Sequence, residues 1–530
     1  MLCPMSHHTL LKSGTRLSML TMASRILGLV REMTKASFLG TTALSDAFSV
    51  AFVIPNLLRR LFAENSISVA FIPTFSGYTE KKDRTEVREF LSATFTMITL
   101  AASLTVMAGI IATPLLVRLF GTETGETVFL TRIMFPYLAI ISVAAFFQGI
   151  LNTVKVFSPS GFTPILFNII VIGSTWLLSP LTANPARAMA IGVIAGGSVQ
   201  ALFQLPYVLK TGYRFSFVSL QKTLSNPGTR TVLRLIGPTV IGMAAYQLND
   251  IVSMSLAARS GEGVVSSLQY SLRLQELILG VFAVSIGTVI LPDLSTCAVR
   301  SLWNDFARIL RRAIETIALI TIPVTFFSLV TGKELIALLF KNNAFTDQSV
   351  ALTLQAFRWH TAALFFIAVN RIISPAFYAQ SDSSSPAKAG LASFAVNIIL
   401  AVMLVSPMRG GGIALALSLA SLANTVFLVL FLSRNAHINV RAILGSAIPY
   451  ALRMIVFSLV AVAPLVLFRG NLYAAFAGRG KLVSLAIPLC LELAAFAFVG
   501  LLMLIVSRDE GLAALHERFS SRRKKAGSGD

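Results

Sequence analysis

Cysteine is nearly absent from this chain, with three in 530 residues, at Cys3, Cys297 and Cys490. They lie far apart, with no CxxC or Cys/His spacing, so neither a disulfide framework nor a metal motif is expected, and each reads as a small apolar filler. The five histidines, two of them adjacent at His7 and His8, form no ligand set either. Charge is scarce as well: Asp, Glu, Lys and Arg make up 13% of the residues against 55% hydrophobic ones, and the mean hydropathy is +0.77. A soluble protein of this size is excluded, and the composition is that of an all-α polytopic membrane protein. A cleaved signal peptide is not expected, because Lys12 and Arg16 precede a segment that carries Arg25 and Arg31 rather than a clean apolar core.

What is present is a succession of apolar runs, each long enough to cross the hydrocarbon core, about fourteen in number. They fall near 15–39, 44–70, 90–118, 131–154, 162–180, 188–209, 231–258, 264–292, 306–330, 349–378, 387–406, 411–433, 447–468 and 481–507. No soluble domain fits between them. Acids are the scarcer charge, 23 against 44 Lys and Arg, for a formal charge of +21. That excess would suit nucleic acid, but its distribution suits a membrane. Lys81, Lys82, Arg84 and Arg88 follow the second segment; Lys210, Arg214, Lys222, Arg230 and Arg234 surround the link from the sixth to the seventh; Arg300, Arg308, Arg311 and Arg312 follow the eighth. All three clusters fall on one side, as does the tail "RFSSRRKKAGSGD", a solvated anchor near anionic headgroups. The positive-inside rule makes that side cytoplasmic and places both termini there.

The chain resembles itself. The second segment ends in "FIPTFSGY" and the eighth in "VILPDLST", with Pro73 and Pro292 219 residues apart; "SPSGFTPILFNII" and "SSSPAKAGLASFAVNII" open the fifth and eleventh, with Asn168 and Asn397 separated by 229. Two matches in one order at nearly one offset predict a duplicated six-helix unit, the arrangement of an alternating-access transporter. The expected division is 1–210 for the first six-helix bundle, 211–435 for the second, and 436–530 for two added helices and the basic tail.

The charges inside the spans carry the chemistry. The first segment holds Arg25, Arg31, Glu32 and Lys35; the second holds Asp46 near its start and Asn56, Arg59, Arg60 and Glu64 after Pro55, which removes a backbone donor and predicts a bend. In the eighth, Ser266 and Arg273 are seven residues apart and share a helix face. An arginine at the bilayer centre costs about 2.5–3.5 kcal/mol, so Arg25, Arg31, Arg59, Arg60 and Arg273 together would cost roughly 12–18 kcal/mol. They must pair with acids, snorkel to an interface, or line a water-filled cavity. Arg60 is spaced to pair with Glu64 and Arg273 with Glu276. Asp46 and Glu32 then remain to neutralise Arg25, Arg31 and Arg59, which leaves a surplus of positive charge suited to an anion. Guanidinium forks bind phosphate oxygens in pairs, so a diphosphate held by arginines of both bundles in a central cavity is the expected guest.

These residues resemble a known family. "SRILGLVRE", "DAFSVAFVIPNLLRRLFAE", "RLQELILGVFAVSIGTVILPDLS" and "FYAQSDSSSPAK" look like the motifs of the lipid II flippase family MurJ, also called MviN, and the likeness runs the length of the chain. The resemblance implies fourteen helices in the multidrug/oligosaccharidyl-lipid/polysaccharide exporter superfamily. It implies export of undecaprenyl-diphosphate-linked peptidoglycan precursor to the outer leaflet of the bacterial inner membrane, in the neighbourhood of cell-wall synthesis proteins. It assigns substrate binding to Arg25, Arg31, Asp46, Asn56, Arg59, Glu64, Ser266, Arg273 and Glu276. It also implies a membrane-facing groove for the lipid tail on the last two helices. Glu32 stands where the family often has Asp, which preserves the charge. A coupling monovalent cation among the seventh, eleventh and twelfth helices has Asp250 and Asn397 as its polar candidates; the membrane potential is the alternative driver.

Export of another polyprenyl-diphosphate-linked oligosaccharide fits the same features. A surplus of arginine argues against a cationic drug. An enzyme acting on these lipids would need a catalytic pair or metal cluster at depth, and none is found in the sequence. A division scaffold would leave the arginines unexplained.

Overall fold

Apolar periodicity long enough to span a bilayer and frequent cap residues dictate helix after helix, and no strand occurs among the described residues. The computed structural model describes residues 7–61, 67–121 and 125–509, with backbone alone at 7–18, 67–68, 238–246 and 281–289. Glu64, Cys3 and the basic tail lie outside the described residues. The described part of each of the fourteen expected segments falls on helix apart from short breaks. Among the described residues, nine helices are long and apolar enough to cross a membrane, or ten if one bent pair is a single span.

The chain divides into two compact units, Met1–Gln269 with Asn342–Phe345, and Tyr270–Lys341 with Thr346–Asp530. The first contains α1 (His7–Leu39), α2 (Ala43–Arg59), a π-helical stretch Ile67–Phe71, α3 (Ile72–Lys81), α4 (Arg84–Leu119), α5 (Gly125–Met134), α6 (Tyr137–Thr153), α7 (Ser158–Leu178), α8 (Pro185–Lys210), α9 (Leu220–Ser225), α10 (Pro227–Arg259) and the first turns of α11 (Val264–Val299). Here α7 and α8 form a hairpin, α1 packs on α7, and α2 on α5. Side chains start the helices: Asp83 accepts from the Glu86 N–H at 2.7 Å, and Asn184 from that of Arg187 at 3.1 Å. Four residues beyond Pro55 the α-helical pattern of the second segment ends, and its C-terminal part is π-helical. A fully buried aromatic cluster anchors that part, with the Phe71 ring 5.4 Å from Phe75 and 5.1 Å from Phe146.

The second unit holds the rest of α11, then α12 (Trp303–Phe340), α13 (Asp347–Ala362), α14 (Leu364–Tyr378), α15 (Ser384–Met408), α16 (Gly410–Leu432), α17 (Val440–Ala475) and α18 (Ile487–Val506). The segment expected at 349–378 is broken into α13 and α14, bent by 42°. No proline lies at the break. Side chains instead take up the carbonyls before it: Ser418 Oγ donates to Trp359 O at 2.6 Å, Thr325 Oγ1 to Thr361 O at 3.3 Å, and Gln275 Nε2 to His360 O. Such replacement bonds are what let a helix break inside a membrane protein. On α17 and α18, Leu467, Phe498 and Val506 are 75%, 69% and 76% exposed, as lipid-facing residues are.

Gly40 ends α1 with φ +56°, its N–H on Ala36 O at 3.0 Å, and a Cβ there would stand 2.0 Å from the Ala344 carbonyl oxygen. Only glycine meets both demands. Gly40→Ala should lower unfolding stability by about 2–4 kcal/mol, read as a lower melting temperature in detergent. Gly173→Ala, on α7 with open space at its Cβ, should not; equal melting of the two variants would contradict this reading of the turn.

Candidate functional site

On α1, Arg31 and Lys35 stand one turn apart, and both are drawn inward. Arg31, 17% exposed, donates from Nη2 to Glu32 Oε1 at 2.9 Å and from Nη1 to Asn168 Oδ1 at 3.2 Å. Its guanidinium lies 5.8 Å from the Phe167 ring centre. Asn168 is itself fixed, donating from Nδ2 to Pro164 O at 2.9 Å and to Ser24 O at 3.3 Å. The α7 residue that served only as a marker of the duplication is therefore an arginine acceptor. Lys35 is 4% exposed; its Nζ donates to Ser49 Oγ at 2.5 Å, and Ser49 passes a hydrogen bond to Ser45 O at 2.7 Å. Arg25 is half-buried on the same helix and makes no hydrogen bond or ion pair among the described residues.

Asp46, 7% exposed in the first turn of α2, uses both oxygens on the N-terminus of α11: Oδ2 accepts from the Gly263 N–H at 2.7 Å and Oδ1 from the Ser266 N–H at 2.8 Å. The favour is returned, because Glu262 Oε1 accepts from the Ala43 N–H of α2 at 2.8 Å. Each helix thus has its first amides satisfied by a carboxylate beside the other's start, where the helix dipole also favours negative charge. Gly263 makes the close approach feasible: its φ is +79°, and a Cβ would stand 2.4 Å from Thr41 O. Ser266 is fully buried and takes part through its backbone, its hydroxyl donating to Gly263 O at 3.3 Å. Sequence reading placed Asp46 and Ser266 among substrate ligands; in the structure they meet as a helix cap. Glu262 was missed, and the signal for it was an acid and a glycine directly before a helix start.

Further along α2, Asn56 Oδ1 accepts from Arg59 Nε at 2.9 Å, which orients the guanidinium from one turn back. Arg60 Nη1 lies 3.2 Å from Asp250 Oδ2 of α10, with side-chain exposures of 42% and 49%. The partner expected for Arg60, Glu64, lies outside the described residues. In the second unit Arg273 pairs with Glu276 at 3.1 Å, the i,i+3 spacing read from the sequence. Asn397 is 2% exposed on α15, in that same unit, whereas Asp250 is in the first. No group of three or more His, Cys, Asp or Glu suited to a metal occurs among the described residues.

The acids near these cations are therefore committed: Glu32 to Arg31, Asp46 to backbone amides, Asp250 to Arg60. By sequence, α1 and α2 carry Arg25, Arg31, Lys35 and Arg59 against two acids, Glu32 and Asp46, over residues 19–59.

The chain is similar to known proteins along most of its length. The family described as "Lipid II flippase MurJ" matches residues 35–477. A probable lipid II flippase MurJ of Treponema pallidum (strain Nichols) is 47% identical over 513 residues, 95% of this chain and 97% of the relative. A solved structure of lipid II flippase MurJ in an inward closed conformation superposes with a TM-score of 0.76 at 26% identity, over 93% of this chain and 99% of that one. An inward-facing multidrug resistance MATE family transporter of the MOP superfamily gives a TM-score of 0.61 over 84% of this chain and 97% of its own, but at 15% identity it is a likeness of fold alone. The helical fold, the cationic helices and the extent of these matches lead to one conclusion: the chain belongs to the lipid II flippase MurJ family.

Proposed function

We propose that this multi-pass membrane protein flips lipid II, the undecaprenyl-diphosphate-linked peptidoglycan precursor, from the cytoplasmic to the outer leaflet of the inner membrane by alternating access. The observation that carries the proposal is the surplus of cations over acids on α1 and α2. Arg25, Arg31 and Arg59 supply planar forks for diphosphate oxygens, Asn56 orients Arg59, and buried Lys35 adds field without competing for the ligand. Arg273 carries the same assignment from its sequence context. The headgroup and its sugar-peptide travel in the hydrated path, while the prenyl chain stays in the bilayer or the groove of α17 and α18. Both termini face the cytoplasm, and the product emerges where cell-wall synthesis consumes it.

Alternating access needs contacts that exist in one state and not in another. The paired caps of α2 and α11 suit that role, since two helix starts that separate lose both caps at once. Drive comes from the membrane potential, about 2.3 kcal/mol per charge per 100 mV, acting on the cationic helices. The alternative, a monovalent cation bound at Asp250, is disfavoured because that carboxylate already faces Arg60.

The test is complementation in a bacterium depleted of its own flippase, scored by lipid II reaching the outer leaflet. Arg59→Ala and Arg273→Ala should each abolish complementation at normal membrane levels, and Arg60→Ala should be milder. Full activity in either of the first two removes that residue from the site.

Asp46→Asn places an amide N–H₂ against a backbone donor and should cost the capped state about 1–3 kcal/mol, seen as a tenfold or greater drop in transport. Glu262→Gln, which keeps an acceptor, should retain most activity. Equal, undiminished transport in both would show the caps to be dispensable.

For coupling, Asp250→Asn should leave the dependence of transport on an imposed membrane potential intact. Loss of that dependence would return the driving role to Asp250.

A further inference from the structure

In the second unit α12, α17 and α18 bring two carboxylates, neither of them assigned above, to one guanidinium. Arg469 of α17 contacts Glu334 of α12 through Nη2 and donates from Nη1 to Val330 O at 2.6 Å. Glu492 of α18 is 2% exposed. Its Oε2 accepts from the Tyr473 hydroxyl at 3.1 Å, while its Oε1 stands 3.9 Å from Arg469 Nε, beyond hydrogen-bond reach. That buried oxygen has no hydrogen-bond partner among the described residues. The surroundings are apolar: Ala461, Val462, Leu465 and Phe496 are buried together, with Phe327 5.4 Å from Phe496.

Two ionised carboxylates beside one arginine would leave a net negative charge, and of the three side chains Glu492 alone is enclosed, 2% exposed against 16% for Glu334 and 26% for Arg469. A single buried charge without a partner is among the most costly arrangements a protein can hold. We propose that Glu492 is a proton-binding site of the C-terminal helices, the proton supplying the positive charge that Glu334, Arg469 and Glu492 otherwise lack. The proton belongs on Glu492 rather than Glu334, because Glu334 is in direct contact with the guanidinium and Glu492 Oε1 is not. A metal cation is the poorer occupant, since one carboxylate and one phenol give too few oxygens and the arginine repels it. The other titratable groups packed nearby do not supply the charge: Lys333 and Cys490 are exposed, and Lys481 donates to the Lys341 carbonyl. Protonation removes the buried negative charge while Oε2 keeps the hydrogen bond from the Tyr473 hydroxyl. Loss of the proton would demand water at this position and loosen α18 from α12 and α17.

The test is infrared difference spectroscopy of the full-length protein in lipid nanodiscs at neutral pH, wild type minus Glu492→Gln. The expected result is loss of one carbonyl band of a protonated carboxylic acid in the variant, with no such loss in Glu276→Gln. Loss of carboxylate bands instead would overturn the proposal. Should Glu492→Gln fail to fold, the wild-type protein is treated with a hydrophobic carbodiimide, which reacts with protonated buried acids, and its peptides are weighed. An adduct on Glu492 that declines as the pH rises supports the site; an unmodified Glu492 beside a modified Glu334 overturns it.

Discussion

The cost of placing a cation in hydrocarbon governs this structure. A guanidinium at the bilayer centre is unfavourable by about 2.5–3.5 kcal/mol on insertion scales, and α1 and α2, which carry several, are not among the nine described helices apolar enough to span alone. The structure meets that cost residue by residue. Arg31 is held by Glu32, Asn168 and the Phe167 ring, Lys35 by a serine relay, and Arg60 by Asp250. These arrangements lower the cost without cancelling the charge, because the acids are fewer than the cations and Asp46 is spent on backbone amides. What remains is a positive balance on α1 and α2.

The same constraint acts on the backbone. Where a helix breaks or begins inside the protein, its orphan carbonyls and amides must be satisfied from within it. At the bend between α13 and α14, hydroxyl and amide side chains do this for successive carbonyls. Between α2 and α11 carboxylates do it for amides, reciprocally. The two solutions differ in consequence. The bend is closed by neutral bonds from neighbouring helices and reads as a fixed joint, whereas the caps join two helix starts by charge-assisted bonds and lose both together if they part.

Helix content and the place of nearly every segment were legible from runs of about 20 largely apolar residues, though nine or ten of the described helices pass as spans rather than fourteen. The breaks were less legible. Pro55 in α2 has a sequence signal, but the bend at Ala363 depends on Ser418 and Thr325, which lie far away in the chain. Arg273 with Glu276 followed from i,i+3 spacing. Arg60 with Asp250 and Arg31 with Asn168 did not, since they join residues 190 and 137 positions apart. That Asp46 caps α11 was not legible either, because composition does not show which helix start a carboxylate will meet. Glu492 drew no notice in an apolar segment, as its meaning depends on Arg469 and Glu334 arriving from two other helices.

Whether charge, rather than the prenyl tail, holds the substrate is the central question. Native mass spectrometry of the purified chain can compare retention of lipid II with that of undecaprenol, which has the tail without the diphosphate. Each lost charge-assisted contact is worth about 1.5–3 kcal/mol, so lipid II should remain bound under conditions that release undecaprenol, and replacing Arg25, Arg31 and Arg59 together by Gln should abolish the difference. Equal retention of the two lipids by the unaltered protein would contradict the account.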